Sequence, residues 1–460
     1  MKSEKNNTRR GFIKKSLITA ASLTIVPGFI FGKNGNINIA PITKGSALMP
    51  SGEDGLKTVA FICNTYWNGS HPDVICTRLF IGIPTDDGMV KPDIKIVSMY
   101  IAQIGDNDTG ARIAEMNGCV LYPTIADALT LGGDKLAVDG VIYVGEHGDY
   151  QYNRLGEKMY PRMNTLEQIF RVFDASNKSV PLYTDKAFSY SWLDSMWVYN
   201  RGKELNVPMM AGSSAPYWWR NPNLVHPIGT KITEAVAIGY ATLDAYGFHV
   251  VEILQCMVER RAGGETGVAS VEGLKGRDVW DAMDSGKISQ ELVDAACDKI
   301  KSKATGSMRD LVKMPLAVIV HYNDGTRGAC LMLDEYVNQG WAYAAKAGGK
   351  MVATEFVYDQ TTPVYAAFSY LDLNIEKLMV TGKPPVPIER NLLTSCVIDM
   401  AIRSTVEGEI KKTPFLNIVY NVKGYESIRP TNTRATGQSL GPWPPKGYEF
   451  TIPDRFKKKS

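Results

Sequence analysis

Between Lys57 and Ser214, short apolar runs alternate with amphipathic stretches at a regular spacing. The apolar runs predict buried strands over Lys57–Asn64, Ile94–Tyr100, Val138–Val144, Val180–Tyr183 and Val207–Met210. The intervening periodicity predicts helices over Val74–Gly82, Asn107–Asn117, Thr124–Leu131 (behind a Thr124 cap), Met163–Ser176 and Trp192–Leu205. Strands alternating with helices of this length specify a parallel, doubly wound sheet.

The pattern changes after Pro216-Tyr217-Trp218-Trp219. A long strand is predicted over Ile232–Tyr240 and a helix over Leu243–Arg261. Leu316–His321 and Gly328–Leu333 flank Asn323-Asp324-Gly325, a hairpin signal because these residues tolerate the positive φ of tight turns. Met351–Tyr358 predicts a further strand, and Ile375–Thr381 and Leu392–Thr405 predict helices separated by a proline-rich turn. This half reads as α+β with an open, mostly antiparallel sheet. A Pro-, Gly- and Thr-rich tail from Gly424 is expected to wrap the surface.

At 460 residues the chain calls for more than one domain. The expected divisions are a leader at 1–34, a linker at 35–56, a sheet domain at 57–214, a second domain at 215–423 and a tail at 424–460. A net charge of +3 and the lack of a basic face with interleaved aromatics argue against a nucleic-acid partner. The seven cysteines are scattered without a C-x-x-C pair and read as single core residues rather than a disulfide frame or zinc site.

Thr8-Arg9-Arg10-Gly11-Phe12-Ile13-Lys14 resembles the twin-arginine export signal, and the apolar stretch Ser16–Phe31 that follows suits a signal core. The resemblance implies the twin-arginine export machinery as a partner and a periplasmic or otherwise exported location. No small-residue cleavage site stands out near Phe31–Gly35, so a cleaved form and a retained, membrane-anchored form both stay open.

Candidate chemistry collects where strands end, since open α/β sheets bind ligands at the carboxyl ends of their strands. Ser179–Trp192 delivers Asp185 and Lys186 to such an edge, where desolvation brings a lysine towards neutrality and lets it donate or accept a proton. Gly145-Glu146-His147-Gly148-Asp149 forms a polar loop at another strand end; Glu146, His147 and Asp149 are candidate substrate contacts. They lack spaced ligand motifs, so no metal is expected. His71-Pro72-Asp73 reads as a helix cap. Trp218 and Trp219 have two readings, a stacking surface for a sugar ring or a core cluster at the domain junction. His249 and Glu252, three apart on one helical face, suit an imidazole oriented by a carboxylate. No G-x-S-x-G, H-E-x-x-H or P-loop occurs.

Five of these segments, in order, resemble the Gfo/Idh/MocA oxidoreductases: VDGVIYVGEHGD, LYTDKAFS, VPMMAGSS, YGFHVVE and VIVHYNDGTRGACLML. The resemblance implies a Rossmann-like first domain, an α+β second domain and a carbohydrate or cyclitol substrate. It also implies a tightly held NAD or NADP and a homo-oligomer built on the second sheet. Carried over residue by residue, Lys186 polarises the substrate oxygen and His249 acts as acid–base. Asn64, Tyr66 and Asn68, with Asp185, stand where the cofactor would be met. Two departures are visible. The first strand ends in Asn64-Thr65-Tyr66-Trp67-Asn68-Gly69-Ser70 rather than G-x-G-x-x-G, and Ala245 replaces an acidic residue four before the histidine, with Asp244 adjacent. Two alternatives therefore accompany the oxidoreductase: a cofactor-free carbohydrate-binding or scaffold protein, and a metal-dependent lyase.

Overall fold

A computed structural model describes residues 55–358, 365–434 and 440. The twin-arginine-like segment and the linker up to position 54 lie outside the described residues.

Parallel pairing joins six strands into the first sheet: β1 (Lys57–Cys63), β2 (Ile94–Ile101), β3 (Val120–Leu121), β4 (Gly140–Val144), β5 (Leu182–Asp185) and β6 (Met209–Gly212). Their order across the sheet is β3-β2-β1-β4-β5-β6. The chain runs outward from β1 to one edge and then from β4 to the other. That reversal between β1 and β4 opens a crevice at their carboxyl ends, the place where such folds bind ligands. Residues 59–63 of β1 have no exposed face, which is what helices on both sides of a parallel sheet require. Among those helices, α4 (Arg162–Ser176) buries Leu166, Ile169, Phe170 and Phe173, the i, i+3, i+4, i+7 stripe of an amphipathic helix. Helix α5 (Trp192–Glu204) is started by Ser191, whose hydroxyl accepts from the Asp194 amide.

The second sheet is mixed. Its strands are β7 (Trp219–Asn221), β8 (Ile232–Gly239), β9 (Val268–Lys275), β10 (Leu316–Tyr322), β11 (Arg327–Met332), β12 (Ala342–Ala347), β13 (Lys350–Val357) and β14 (Lys411–Lys412). They lie in the order β14-β9-β10-β11-β8-β12-β13-β7, and only β8 and β11 run parallel. The Asn-Asp-Gly turn closes β10 onto β11 with His321 opposite Arg327, as its composition requires. Helix α6 (Phe248–Val258) is buried along its whole length and packs on β8 and β11. Helix α10 (Ile388–Glu407) packs on β9 and also reaches α5 and α6, so it bridges the two sheets' layers. The tail folds back as expected over the residues described: Asn374 bonds the Ile428 carbonyl, and Asn221 bonds the carbonyl of Arg434.

Candidate functional site

The carboxyl edge of the first sheet brings together the ends of β1, β4, β5 and β6. Tyr183 and Asp185 share one face of β5, because successive side chains alternate. The Tyr183 hydroxyl sits 3.2 Å from Asp185 Oδ1 and 2.9 Å from the Gly212 carbonyl. Asp185 is fully buried and its Oδ2 accepts a 2.7 Å hydrogen bond from His71 Nδ1. Burial pushes the Asp185 pKa upward, but His71, Lys186 and Arg162 together bring it below the ordinary aspartate value.

Lys186 follows immediately, in the left-handed backbone region at φ 60°. Two backbone bonds hold it there. Its amide donates to the Gly212 carbonyl (3.1 Å), and its own carbonyl accepts from Asn391 Nδ2 of α10 (2.8 Å). The side chain turns to Glu146, placing Nζ 2.9 Å from Oε2, while Arg162 of α4 pairs with the other oxygen of that carboxylate. Burial draws the Lys186 pKa down to about 8, with Asp185 opposing and Arg162 adding to the shift. An amine poised near neutrality is suited to moving a proton in either direction.

Three imidazoles face the same space. His147, also left-handed at φ 64°, packs against Trp67 (ring centroids 5.0 Å apart) and His71 (5.7 Å). Burial takes its pKa down to about 3, so the ring is neutral. His249, at the start of α6, is buried and its Nδ1 has no hydrogen-bond partner among the described residues. Burial is the main reason its pKa falls well below the usual histidine value; the charges of Lys186 and His71 add to the fall. Ring contacts run from His71 through Phe368, Tyr365, Tyr358 and Trp218 to His249, so the imidazole of the second layer lies on the same wall of rings as the first sheet's His71. Trp218, Trp341 and Tyr246 surround the His249 ring at centroid distances of 6.3, 5.9 and 5.8 Å.

Asp244 joins this set. It lies in a π-helical turn, Leu243–Gly247, that precedes α6, so the angular spacing of an ordinary helix does not apply to it. Its carboxyl accepts from the Lys158 amide at 3.3 Å and lies within the fields of Lys186 and Arg162.

Several expected roles are reassigned by the coordinates. Glu252 does not orient His249: its Oε2 accepts from the Ser213 amide at 2.6 Å, tying α6 to the end of β6. Burial raises Glu252 to about 7. Trp219 is turned away from the crevice, with its indole N–H on Asp86 (2.7 Å) and its ring between Arg434 and Tyr370. Trp218 is buried, bonded to Ser214, and serves as a wall behind His249 rather than an open stacking surface. Asp149 engages the site through its backbone, in reciprocal bonds with the Gln103 amide of 2.8 and 3.2 Å. His71 is no mere cap residue. It carries the Asp185 bond, to a partner 114 positions away that no local pattern points to.

The strand order poses the question of a dinucleotide, and the β1 turn answers it. A pyrophosphate needs free backbone N–H groups and glycines at a helix N-terminus. Here Asp73, in the first turn of the helix that starts at Asp73–Thr77, accepts from the Gly69 amide at 2.8 Å and places its own carboxylate there. Tyr66 points into the core, its hydroxyl 2.7 Å from Thr77 Oγ1 and its ring against Gly110, where an added Cβ would lie 2.6 Å from Tyr66 Cβ. Asn64 is buried with its amide 3.5 Å from the His147 carbonyl, and Asn68 is exposed. The Gln103–Asp149 bonds clasp the end of β2 to the loop after β4, across the carboxyl end of β1. These residues do not fit the cofactor role expected of Asn64, Tyr66, Asn68 and Asp185. Among the described residues, no group of three or more His, Cys, Asp or Glu is arranged to hold a metal ion.

No family model matches the chain, and no curated protein sequence matches it. Solved structures do resemble it. GenD2 from gentamicin A biosynthesis, in complex with NAD, aligns over 78% of this chain and 96% of its own, at 12% identity and a TM-score of 0.49. Myo-inositol 2-dehydrogenase from Lactobacillus plantarum aligns over 78% and 99% at 10% identity and a TM-score of 0.49. Myo-inositol dehydrogenase from Corynebacterium glutamicum aligns over 78% and 98% at 12% identity and a TM-score of 0.47.

Proposed function

We propose that this protein is a divergent enzyme of the Gfo/Idh/MocA type that moves protons at a hydroxyl- or carbonyl-bearing carbon of a carbohydrate or cyclitol. The observation that carries the reading is Lys186: a buried amine with a pKa near 8, 2.9 Å from Glu146, in one crevice with His249. In this reading Lys186 gives or takes the proton on the substrate oxygen. His71, held by Asp185, serves the opposite face as acid–base, because a carboxylate on Nδ1 leaves Nε2 to act on substrate. His249 donates to or accepts from a second hydroxyl. The half-buried rings of Tyr246, Tyr358 and Tyr365 offer apolar faces for a sugar ring. The export-like leader supports action in the periplasm.

The chemistry is acid–base, such as isomerisation, epimerisation or elimination, since the β1 turn does not cradle a dinucleotide. A nicotinamide-dependent oxidoreductase is the second reading, favoured by the β3-β2-β1-β4-β5-β6 order. Purified protein, incubated with a panel of sugars and inositols in D2O and followed by NMR, tests the first. Deuterium at a substrate carbon without added cofactor, lost in Lys186→Met, is the expected result. Nicotinamide released on denaturation, with turnover only in its presence, would transfer the case to the second reading. Ligand binding with no turnover, unchanged in Lys186→Met, would leave a binding protein.

A further inference from the structure

We infer that the protein carries a second ligand site, for a phosphate or sulfate group, at the far end of α6 from the crevice. Four segments that are remote in sequence send a guanidinium to one pocket there: Arg220 from β7, Arg260 just past α6, Arg390 from the first turn of α10 and Arg429 from the tail. The pocket is a small cavity of about 70 Å³ that opens to solvent. Between Glu252, which faces the crevice edge, and the end of α6 at Val258 the helix rises about 9 Å, at roughly 1.5 Å per residue.

The charges do not balance. Among the described residues, Glu259 is the only carboxylate lining the pocket, and it is already taken: Arg390 holds it bidentately, with Nε 2.8 Å from Oε2, and the Tyr420 hydroxyl donates to it at 2.9 Å. Arg220 is buried, lies over the Phe356 ring (4.8 Å to the centroid), and among the described residues its N–H groups meet two carbonyls and a thiol: Leu224 (2.9 Å), Pro216 (3.2 Å) and Cys256 Sγ (3.8 Å). Its Nε has no partner. Arg260 bonds the His226 carbonyl at 2.5 Å. Arg429 Nη1 is buried with no hydrogen-bond partner among the described residues. Cys256 cannot supply the missing charge, because burial pushes its thiol up to about 11.

Leaving a buried cationic donor unpaired is costly, and crowding several together adds repulsion. The repulsion registers on Arg429, whose pKa falls to about 10 through burial and the neighbouring Arg220 and Arg260. A tetrahedral oxyanion answers all three deficits together. Its oxygens accept from several guanidinium forks, which match phosphate geometry in pairs, and its charge offsets the surplus. Carboxylate-only ligands present fewer acceptors to the same donors. The pocket shares no residue with the Lys186 crevice, so it stands or falls independently of the proposed activity.

Isothermal titration calorimetry and thermal denaturation of the purified protein at low ionic strength provide the test, with inorganic phosphate, inorganic sulfate and phenyl phosphate as probes and chloride as the screening control. Saturable binding of an oxyanion with a rise in Tm, and no equivalent rise with matched chloride, is expected. Arg429→Gln and Arg260→Gln should each weaken binding by about tenfold or more, the scale of one charge-assisted hydrogen bond. Without anion, Arg429→Gln should melt no lower than the parent, because it relieves repulsion; this separates a ligand-binding arginine from a structural one. Tighter binding of phenyl phosphate than of phosphate assigns an ester ligand, and the reverse assigns the free ion. Equal effects of phosphate and chloride, or parental affinity in both variants, would overturn the site.

Discussion

His71 and Asp185 stand 114 positions apart in the chain and meet through a 2.7 Å hydrogen bond. The first comes from the turn after β1, the second from the last residue of β5, with β4 between them in the sheet. The bond thus spans the crevice that the strand order creates, and fixes the imidazole against a buried carboxylate whose other oxygen is met by the Tyr183 hydroxyl. Removing the carboxylate charge with Asp185→Asn should leave the fold intact and lower turnover by about 10- to 100-fold, the usual scale for a lost acid–base orientation. Steady-state kinetics beside near-UV circular dichroism checks both halves.

Lys186→Met should abolish turnover while leaving thermal stability unchanged or improved. The folded protein depresses the lysine to about 8 from an ordinary 10.5, so the buried ammonium is disfavoured at pH 7. Between those two values the unfolded chain binds more protons, and the contribution of Lys186 to stability rises with pH. Lys186→Arg should not rescue activity, because a guanidinium stays protonated. Activity of the parent across pH 6–10 should show a limb near 8.

Acid should loosen the protein well above the carboxylate range. His71, His147 and His249 all have folded pKa values below 6.5, His147 falling to about 3. For each, stability is fully present above 6.5 and is lost as pH falls towards the folded value, because the unfolded chain takes up the proton first. Asp185, depressed below 3.8, adds a further loss only below that range. Urea denaturation at pH 7.5 and pH 5 should differ by about 2 kcal/mol or more in the direction of acid weakness, and His147→Phe should shrink the difference.

Gly212→Ala should destabilise by roughly 2–4 kcal/mol and impair turnover. The backbone there is at φ 127°, and an added Cβ would lie 2.5 Å from Glu252 Oε1, displacing the carboxyl from the Ser213 amide. Chemical denaturation measures the loss; the same substitution at Gly88, at φ 111° and with no atom within 4 Å, gives the cost of a comparable backbone without the clash.

Asp73→Ala should cost about 1 kcal/mol by freeing the Gly69 amide and the Thr77 hydroxyl that the carboxylate now engages. It should not create affinity for NAD or NADP, since Tyr66 and the Gln103–Asp149 clasp remain. Fluorescence titration with either nucleotide is the check.

The first sheet was largely legible because parallel strands are buried on both faces and stand out as apolar runs. The two-residue β3 was too short to be predicted, and the ends of others shifted: β4 begins at Gly140 rather than Val138, β5 at Leu182 rather than Val180, and β6 at Met209 rather than Val207, the last two because Pro181 and Pro208 interrupt the ladder there. The second sheet was harder to read. Strand β12, AYAAKA, is alanine-rich and carries no β-branched residue, and β9 is interrupted by Glu272 and Gly273, so neither shows a strand signature. Within the site, Lys186, His249, Glu146 and His147 were readable from their positions at strand and helix ends. His71 and Arg162 were not, because each acts through a partner far away in sequence, and Asp244 was hidden by a π turn that defeats helical arithmetic.

Both His147 and Lys186 hold a left-handed backbone that glycine would adopt freely, and each sits directly over the reacting space. Such residues cost of order 1 kcal/mol apiece. A laboratory selection for heat tolerance alone would accordingly drift towards glycine at these two places, yielding a sturdier protein with its crevice stripped of one imidazole and its amine.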